Sequence, residues 1–312
     1  MLIRRTKKLY GNTEAAKFGY VQFEAIRQGM VEEGHSRGYV NETMGRLVRV
    51  FRWSASRGLV TPTVPQALGM IESLRKGRTK APDYDPIRPV EPEVIAKTLQ
   101  HLPEVVADMV RFQQAVGCRP AEVCMIKPCM VDRSNDVWEI HLDQHKTAHK
   151  GKQRVIYVGP RGQAILIEYL LRPANQHCFD PRESEKKRRA ARTAARKTPP
   201  NAGNKVGSVK TKNRKRPPRQ SYDTNSYRRA ISRACDKAFP VPEGMDEDQA
   251  AQWRKNHRWS PNRVRHTFGT EVRRTEGLEA ASLLLGHSDL EVTKIYAEKD
   301  RQKAIAAARK VG

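Results

Sequence analysis

The first 75 residues carry apolar positions that recur every three or four residues, the spacing that places side chains on one face of a helix. These positions are Phe18, Val21, Phe23, Ile26, Met30, Met44, Leu47, Val48, Val50, Phe51 and Trp53. Glycine-rich residues 34–38 and the cluster of Gly58, Pro62 and Pro65 interrupt the pattern. The sequence therefore predicts a helical domain over residues 1–75.

A second domain is predicted over residues 93–312, after a segment with four prolines and no apolar period. That segment, residues 76–92, is predicted to be a linker that prolines keep extended. The second domain shows alternation typical of strands at 137–142 and 154–158. Helices are predicted at 92–102, 103–116, 160–171, 222–238, 246–257, 261–275, 278–285 and 289–298. The predicted fold class is mainly α with a small β-sheet.

The net charge of the chain indicates which class of partner it binds. The chain has 59 Lys or Arg against 34 Asp or Glu, a net charge of +25. So much self-repulsion is typical of a protein that binds a polyanion, and a basic ribosome-like protein or a solvated surface is the alternative. Charge alone therefore favours nucleic acid over a membrane surface as the partner.

Residues 182–219 hold about half of the excess charge, with 15 Lys or Arg, two Glu and almost no apolar residues. Such a composition cannot form a core, so we predict a disordered basic insertion within the second domain. Its expected role is a sequence-independent, salt-sensitive attraction to DNA. A solubilising loop is the alternative.

Other function classes are disfavoured. No run of about 18 apolar residues that could span a membrane occurs, and no apolar signal segment follows the first residues. Five scattered cysteines without a C-x-x-C pair fit reduced thiols, so we expect a cytoplasmic, nucleoid-associated protein. His141, His145 and His149 are four residues apart, but their local sequence alternates like a strand, which disfavours a metal site.

Arginines also follow the apolar period of the first domain, at Arg46, Arg49, Arg52 and Arg57. A helix with such a basic face is suited to lie along a phosphate backbone. A solvated face of a helical bundle explains the same pattern, so DNA binding by these residues stays one of two interpretations.

The C-terminal third carries the candidate chemistry. Ser260 and Pro261 are typical of a helix start, and Arg265 lies in the second turn of that helix. Gly286 is predicted to end the next apolar helix in a left-handed conformation, with His287 directly beyond it. Asp289 then begins a short helix that places Tyr296 nine residues after His287.

These motifs resemble those of the tyrosine recombinase (phage integrase) family, and of its mobile-element integrases in particular. The residues that carry the resemblance are Arg-His-Thr at 265–267, Leu-Gly-His-Ser at 285–288 with Thr293 and Tyr296, and Gly117-x-Arg119-x-x-Glu122. The turn that contains Lys146 resembles the β-hairpin of the family. The resemblance covers residues ~93–300 and implies a DNA breaking-rejoining catalytic domain after a helical, SAM-like core-binding domain. It further implies that the N-terminal domain is shortened, because family members commonly carry more chain before it.

The resemblance implies a role for each matched residue, with neither metal nor ATP. Arg119 and Arg265 would clamp the scissile phosphate, Lys146 would protonate the leaving 5′ oxygen, and His287 would donate a hydrogen bond to the phosphate. Tyr296 would attack and form a 3′-phosphotyrosine. Lys150, in the same hairpin as Lys146, would contact DNA, and His266 would brace its helix.

Asn262 departs from the family pattern, which has His or Lys three residues before the second arginine. Asparagine donates hydrogen bonds but cannot accept the proton of tyrosine. Either a base is dispensable here, or His257 or His287 replaces it, or the enzyme is slow.

Three functions are therefore compared. The first is a site-specific recombinase that acts as a homo-tetramer on two duplexes, with residues 300–312 docked on a neighbouring protomer and an accessory directionality factor as a further partner. The second is a type IB topoisomerase, which shares the catalytic residues but relaxes supercoils as a monomer. The third is a decayed recombinase that only binds DNA.

Overall fold

The computed structural model describes residues 2–85, 88–142, 154–197 and 219–286. The chain divides into two compact units, Met1–Pro86 and Ile87–Gly312. The division falls inside the segment that we predicted as a linker. Each unit has its own cluster of buried apolar side chains.

The described part of the first unit is helical. Its helices are α1 (Leu2–Tyr10), α2 (Tyr20–Glu32), α3 (Arg37–Ser56) and α4 (Thr63–Gly69), with a 3₁₀ turn at Ala15–Lys17. Gly34 and Gly58 have positive φ and lie after the ends of α2 and α3, where the sequence predicts breaks. Most of the predicted apolar positions are buried, but Val21, Val50 and Trp53 are exposed, because they lie beside the buried stripe of their helices rather than on it.

The start of the predicted linker packs on α3. The Asn41 side chain donates to the Leu74 carbonyl at 3.0 Å and accepts from the Leu74 amide at 2.9 Å. The Arg37 amide donates to Pro82 O at 2.9 Å, and its guanidinium bonds to Asp83. Residues 74–83 are thus packed on the first unit, so this part of the predicted linker is not separate from that unit.

The described part of the second unit is mainly helical with one small sheet, which confirms the predicted fold class. Its helices are α5 (Pro92–Leu99), α6 (Glu104–Val116), α7 (Pro120–Met125), α8 (Pro160–Leu166), α9 (Pro181–Ala194), α10 (Thr224–Ala238), α11 (Glu247–His257), α12 (Pro261–Glu276) and α13 (Leu278–Leu285). Helix α6 is central, because it packs against α7, α8, α9, α12 and the sheet. None of the described helices is both long and apolar enough to cross a membrane.

The sheet is antiparallel, in the order β1 (Val131–Asp132), β2 (Trp138–Leu142) and β3 (Arg154–Val158). Ile140 pairs with Ile156, and Leu142 pairs with Arg154. On β3 the inward positions are Arg154, Ile156 and Val158, all buried. The two longer strands lie where the alternation predicts them, whereas β1 has only two residues and leaves no periodic signal. Arg154 is the unusual feature, since it is a charged residue on the core face.

Helix α9 corrects the prediction of disorder for the first part of the basic insertion. Asp180 caps the helix by accepting from the Arg182 amide at 2.8 Å. Arg172 and Glu183 form an ion pair, and the Ser184 and Tyr222 hydroxyls are 2.8 Å apart. These contacts tie the helix to the folded unit, and composition alone does not reveal them. Residues 198–218 lie outside the described residues.

Of the three histidines that are four residues apart in sequence, only His141 lies within the described residues. His141 is exposed on β2 beside Glu139, at 3.4 Å between Nε2 and Oε2. His145 and His149 lie outside the described residues. Within the described ranges, no group of His, Cys, Asp and Glu is arranged to hold a metal ion.

Gly117, which ends α6 with φ of 64°, gives a testable consequence of this packing. A methyl group at this position would lie 2.0 Å from Cδ1 of Phe268. We expect Gly117→Ala to lower the free energy of unfolding by about 1–2 kcal/mol through the left-handed backbone and by about 1–3 kcal/mol more through overpacking. Urea denaturation followed by tryptophan fluorescence measures the loss.

Gly244 supplies the matched control, because its φ is 88° and a methyl group there would meet no atom within 4 Å. Gly244→Ala should lower the free energy of unfolding only by the cost of the left-handed backbone, without overpacking. Equal losses in the two variants would mean that Phe268 does not restrict position 117.

Candidate active site

An open cleft of about 630 Å³ lies where the first turns of three helices of the second unit meet. It brings together three of the predicted site positions, Arg119, Asn262 and Arg265. Its lining residues come from the starts of α7, α10 and α12: Arg119, Pro120, Ala121, Thr224, Asn225, Arg228, Ser260, Pro261, Asn262 and Arg265.

The helix starts make this cleft suited to an anion. The amino end of a helix carries unpaired backbone N–H groups and the positive end of the helix dipole. Helices α10 and α12, of 15 and 16 residues, both begin at the cleft wall; the Asp223 carboxylate caps the start of α10, whereas the N-cap Ser260 side chain makes no capping hydrogen bond on α12. With three arginine side chains in the same wall, the electrostatic environment favours a phosphate-like group.

Arg119 occupies the N-cap position of α7. Its backbone amide donates to Glu122 Oε2 at 2.7 Å, and its Nη1 donates to Glu122 Oε1 at 2.8 Å. The side chain is 35% exposed, whereas that of Glu122 is 3% exposed. One edge of the guanidinium is therefore held from below while the rest faces the cleft.

The turn before Arg119 is fixed by two buried side chains. Gln113 Nε2 donates to the Cys118 carbonyl at 2.9 Å, and Arg265 Nη1 donates to the Gly117 carbonyl at 2.8 Å. Tyr227 donates its hydroxyl to Gln113 Oε1 at 3.1 Å. Since both carbonyls of the turn are held, the position of Arg119 is set by the core of the unit.

Arg265 is 3% exposed and joins three helices. Besides the Gly117 carbonyl at the end of α6, its Nη2 donates to the Leu285 carbonyl at the end of α13, at 2.7 Å. Buried guanidinium groups need several acceptors to offset their lost hydration. Arg265 thus lines the cleft and also links α12 to the two chain segments beside it.

Glu122 balances the positive charge beneath the cleft. Arg154 Nε and Nη2 lie 3.2 and 3.3 Å from its two carboxylate oxygens. Burial alone would raise the pKa of Glu122, but the charge and hydrogen bonds of Arg154, with the bonds from Arg119, outweigh it and hold the pKa below its ordinary value. Glu122 is therefore an anion at neutral pH.

Asn262 is exposed at the second residue of α12, in the cleft wall. Ser260 occupies the N-cap position before it, as predicted, but its side chain makes no capping hydrogen bond. His257 does not line the cleft: its Nδ1 lies 2.8 Å from the Trp253 carbonyl and its ring stacks on Trp253. Burial and the nearby Arg265 and Arg263 lower the pKa of His266, which keeps it neutral at pH 7.

Four predicted site residues, Lys146, Lys150, His287 and Tyr296, lie outside the described residues. Their neighbours are described. Gly286 ends α13 with φ of 62° and ψ of 48°, which confirms the predicted left-handed end of that helix. The connection that contains Lys146 joins Leu142 of β2 to Arg154 of β3.

Comparison with known proteins decides the family. The sequence model of the Phage integrase family matches residues 88–303, more than half of the chain. The chain belongs to the phage integrase family. It is a site-specific tyrosine recombinase, and the sequence resemblance is confirmed.

Several solved integrase and recombinase structures share the fold at low sequence identity. One is the Tn1549 transposon integrase in complex with a circular intermediate DNA, with a TM-score of 0.62 and 14% identity over 99% of this chain and 92% of that one. Another is the XerH site-specific recombinase bound to palindromic difH, with a TM-score of 0.62 and 14% identity over 99% and 77% of the two chains. A third is a lambda integrase dimer bound to a COC′ core site, with a TM-score of 0.57 and 14% identity over 96% of this chain and 88% of that one. No curated protein matches the chain.

A basic groove of about 560 Å³ adjoins the cleft of this integrase and shares Arg228 and Ser260 with it. Arg258 is paired with Asp236 at 2.7 Å, and Arg263 donates to two backbone carbonyls at residues 88 and 89. Three exposed arginines of α10, on which the described residues show no ion pair, complete the groove: Arg228, Arg229 and Arg233.

Sequence reasoning missed these three arginines, although a signal was present. The buried residues of α10 are Tyr227, Ile231, Ala234 and Cys235, which recur at helical spacing. Arg229 and Arg233 fall on the opposite side of the same helix, and Arg228 lies at the flank of the buried stripe. A helical projection of residues 224–238 would have predicted a basic face there.

The predicted DNA-binding arginines of the first unit are exposed, three of them on α3 and Arg57 directly after its last residue. Arg46 pairs with Glu42, and the Arg57 guanidinium lies 5.4 Å from the centre of the Trp53 ring. Arg49 and Arg52 line a groove of about 300 Å³ within this unit. Arg46, Arg49 and Arg57 share one side of the helix with the exposed Trp53.

The lowered pKa of Glu122 predicts how acid weakens the second unit. The native state binds fewer protons than the unfolded state, so the stabilisation is complete above the ordinary pKa of 4.5 and is lost as the pH falls through the lower folded pKa. We expect Glu122→Gln to cost about 3–5 kcal/mol at pH 7, because it leaves Arg154 without its buried anion.

Urea denaturation of both proteins between pH 7 and pH 3 tests this. The difference in unfolding free energy should narrow as the pH falls below 4.5. A difference that stays constant over this range would contradict an ionised, stabilising Glu122.

Proposed function

We propose that this recombinase cuts and rejoins duplex DNA through a 3′-phosphotyrosine, with Tyr296 as nucleophile and with neither metal nor ATP. The observation that carries the proposal is that Arg119 and Arg265, far apart in sequence, line one cleft formed by helix starts. Family membership makes DNA strand exchange the reaction class.

The cleft is suited to the charge that develops on a scissile phosphate. Attack on phosphorus places extra negative charge on the non-bridging oxygens, and guanidinium groups match these oxygens in shape and sign. Donors that the fold holds in place stabilise such charge without reorganising. Arg119 is held by Glu122, and Arg265 is held by two backbone carbonyls, so both are preorganised.

The proposed step conserves atoms and charge. The Tyr296 oxygen forms a bond to phosphorus and loses its phenolic proton, while the bond from phosphorus to the 5′ oxygen breaks. Lys146 donates a proton to that oxygen, and His287 donates a hydrogen bond to the phosphate. A 5′ hydroxyl of the partner strand later attacks the phosphotyrosine and reverses the step, so the bond energy is conserved.

Asn262 cannot take the proton of Tyr296, because its amide is not a base; its NH₂ group would donate a hydrogen bond to the phosphate. The proton therefore needs another acceptor. Of the alternatives from the sequence, His257 is disfavoured because it stacks on Trp253 outside the cleft lining. We propose that His287 or solvent takes the proton.

DNA would be held by cations on both units. The arginine face of α10 continues the cleft and would contact phosphates on either side of the scissile one, while Arg46, Arg49 and Arg52 of α3, Arg57 directly after it and Lys150 would add contacts elsewhere. The basic insertion would add non-specific attraction. The structurally similar integrases and recombinases are described as bound to DNA, which supports a duplex as the partner.

The assembly proposed is a homo-tetramer on two duplexes, with residues 300–312 docked on a neighbour and an accessory factor that sets direction. Topoisomerase activity is not favoured by the family match. A protein that only binds DNA differs from an active recombinase in one measurable product, the covalent adduct.

A nicked suicide substrate tests the nucleophile. Wild-type protein should give a protein–DNA band that survives denaturing electrophoresis, and Tyr296→Phe should give none, because it has no oxygen to attack phosphorus. Arg119→Ala and Arg265→Ala should form the adduct about 10²–10³ times more slowly, the usual cost of losing one such donor.

Tyr222→Phe is the control, since this tyrosine bonds to Ser184 and lines neither the cleft nor the groove. It should form the adduct at the wild-type rate. An adduct that persists in Tyr296→Phe would exclude this residue as nucleophile, and a wild type without adduct would favour the protein that only binds DNA.

The arginine groove gives a second prediction. Replacing Arg229 and Arg233 by Ala should weaken binding to all duplexes alike and reduce the slope of log K against log salt by about 0.9 for each lost phosphate contact. Fluorescence anisotropy with two unrelated duplexes, over a range of salt concentrations, measures both effects.

The matched control replaces Arg111 and Arg161, two exposed arginines of the same unit that line neither the cleft nor the groove. It removes the same formal charge. If both double variants changed the salt slope equally, net charge rather than the groove would explain the binding.

A further inference from the structure

We propose that Arg154 is a positioning residue for the recombination step, because it holds the base of Arg119 and the turn at Gly286 in a fixed relation. The inference rests on the proposed function, and it goes further by giving a role to a residue outside the family motifs in this sequence. The evidence is where the side chain lies and what it contacts.

Arg154 is a buried cation in an apolar layer. It is 5% exposed and stands on the same face of β3 as Ile156 and Val158, which are fully buried. Burying a guanidinium is costly unless its donors are satisfied. A core position that keeps such a group calls for a reason beyond packing.

One side of Arg154 faces the anchor of Arg119. Two of its nitrogens lie 3.2 and 3.3 Å from the Glu122 carboxylate, and Nη1 donates to the Val155 carbonyl at 3.0 Å. The same carboxylate accepts from the backbone and side chain of Arg119 at 2.7 and 2.8 Å. Glu122 is thus shared between a strand end and the start of α7.

The other side of Arg154 faces the end of α13. A methyl group on Gly286 would lie 2.2 Å from Arg154 Nη1 and 2.7 Å from its Cζ, so the guanidinium lies directly against this turn. Arg265 holds the preceding carbonyl, that of Leu285, at 2.7 Å. Two guanidinium groups therefore contact two consecutive residues of the turn.

Each element that Arg154 contacts leads to a residue of the proposed mechanism. Strand β3 follows the connection that contains Lys146, helix α7 begins at Arg119, and the turn at Gly286 precedes His287. A planar fork sets both distance and direction between its partners, which a lysine ammonium does not. Since misplacement by about 1 Å can cost a hundredfold in rate, a shared support of this kind would affect the chemistry directly.

The experiment separates positioning from plain stabilisation. Glu122→Gln and Arg154→Met each leave one buried charge without its partner, and both should lower the melting temperature. The double variant removes both charges and should recover most of it, while the introduced glutamine side chain is still able to accept from the Arg119 amide. Arg154→Lys keeps the charge but loses the fork.

The expected result is that adduct formation at saturating DNA stays about 10- to 100-fold slow in the double variant and in Arg154→Lys, with DNA affinity within about twofold of wild type. Tyr169→Phe is the control, because it removes a hydrogen bond of 2.6 Å to Asp108 away from the cleft. It should lower stability and leave the rate unchanged. A double variant that regains both stability and rate would overturn the proposal.

Hydrogen exchange supplies a readout that needs no cleavage. The Gly286 amide donates to the Leu283 carbonyl at 2.9 Å, and peptides that cover residues 278–286 should exchange faster in the double variant but not in Tyr169→Phe. Unchanged exchange would also overturn the proposal. If the wild type forms no adduct while exchange responds as expected, the proposed function fails and the support of the turn by Arg154 stands.

Discussion

The rest of the site depends on one buried carboxylate. A cleft that binds phosphate needs several cations close together, and cations that lie close together repel one another when the cleft is empty. Glu122 offsets this repulsion from beneath, since it accepts from Arg119 and Arg154 at once and stays ionised because of them. The motif in which arginine is followed three residues later by glutamate therefore describes a charge and its support, both placed by the first turn of a single helix.

As the Glu122 carboxylate holds the Arg119 guanidinium in place, backbone carbonyls hold that of Arg265. Each of its terminal nitrogens donates to a carbonyl at the end of a helix, Gly117 after α6 and Leu285 in the last turn of α13. Both helix ends turn through a left-handed glycine, at Gly117 and Gly286, and in each case a side chain fills the space that a Cβ would need. Glycine is required at these two points by its backbone conformation and by close packing together. Arg265 therefore lines the cleft and also holds the ends of α6 and α13 in place.

The sequence predicted the parts of this structure that are encoded locally. Most helices of the second unit, the two longer strands and the left-handed end at Gly286 follow from periodicity and cap residues, whereas Arg119 is located by its resemblance to the family motif. What it missed depends on contacts between distant segments. Helix α9 is held by an ion pair with Arg172 and by a hydroxyl contact with Tyr222. From composition alone, its high charge predicts disorder. Arg154 lies in an alternating strand pattern that does not show a partner 32 residues away.

The surroundings of the cleft also bear on how a recombinase can work with Asn262. The more acidic the phenol of the nucleophile is, the less the reaction depends on a general base. Nearby positive charge favours the ionised form of an acid. The cleft wall combines Arg119, Arg228 and Arg265 with the starts of two long helices. Fixed positive charge at this wall would stabilise a phenolate that develops during attack, and the bound phosphate would partly offset that effect. The amide NH₂ of Asn262 would donate to the phosphate without titrating, which would leave stabilisation of the phenolate to the fixed charges and dipoles of the wall.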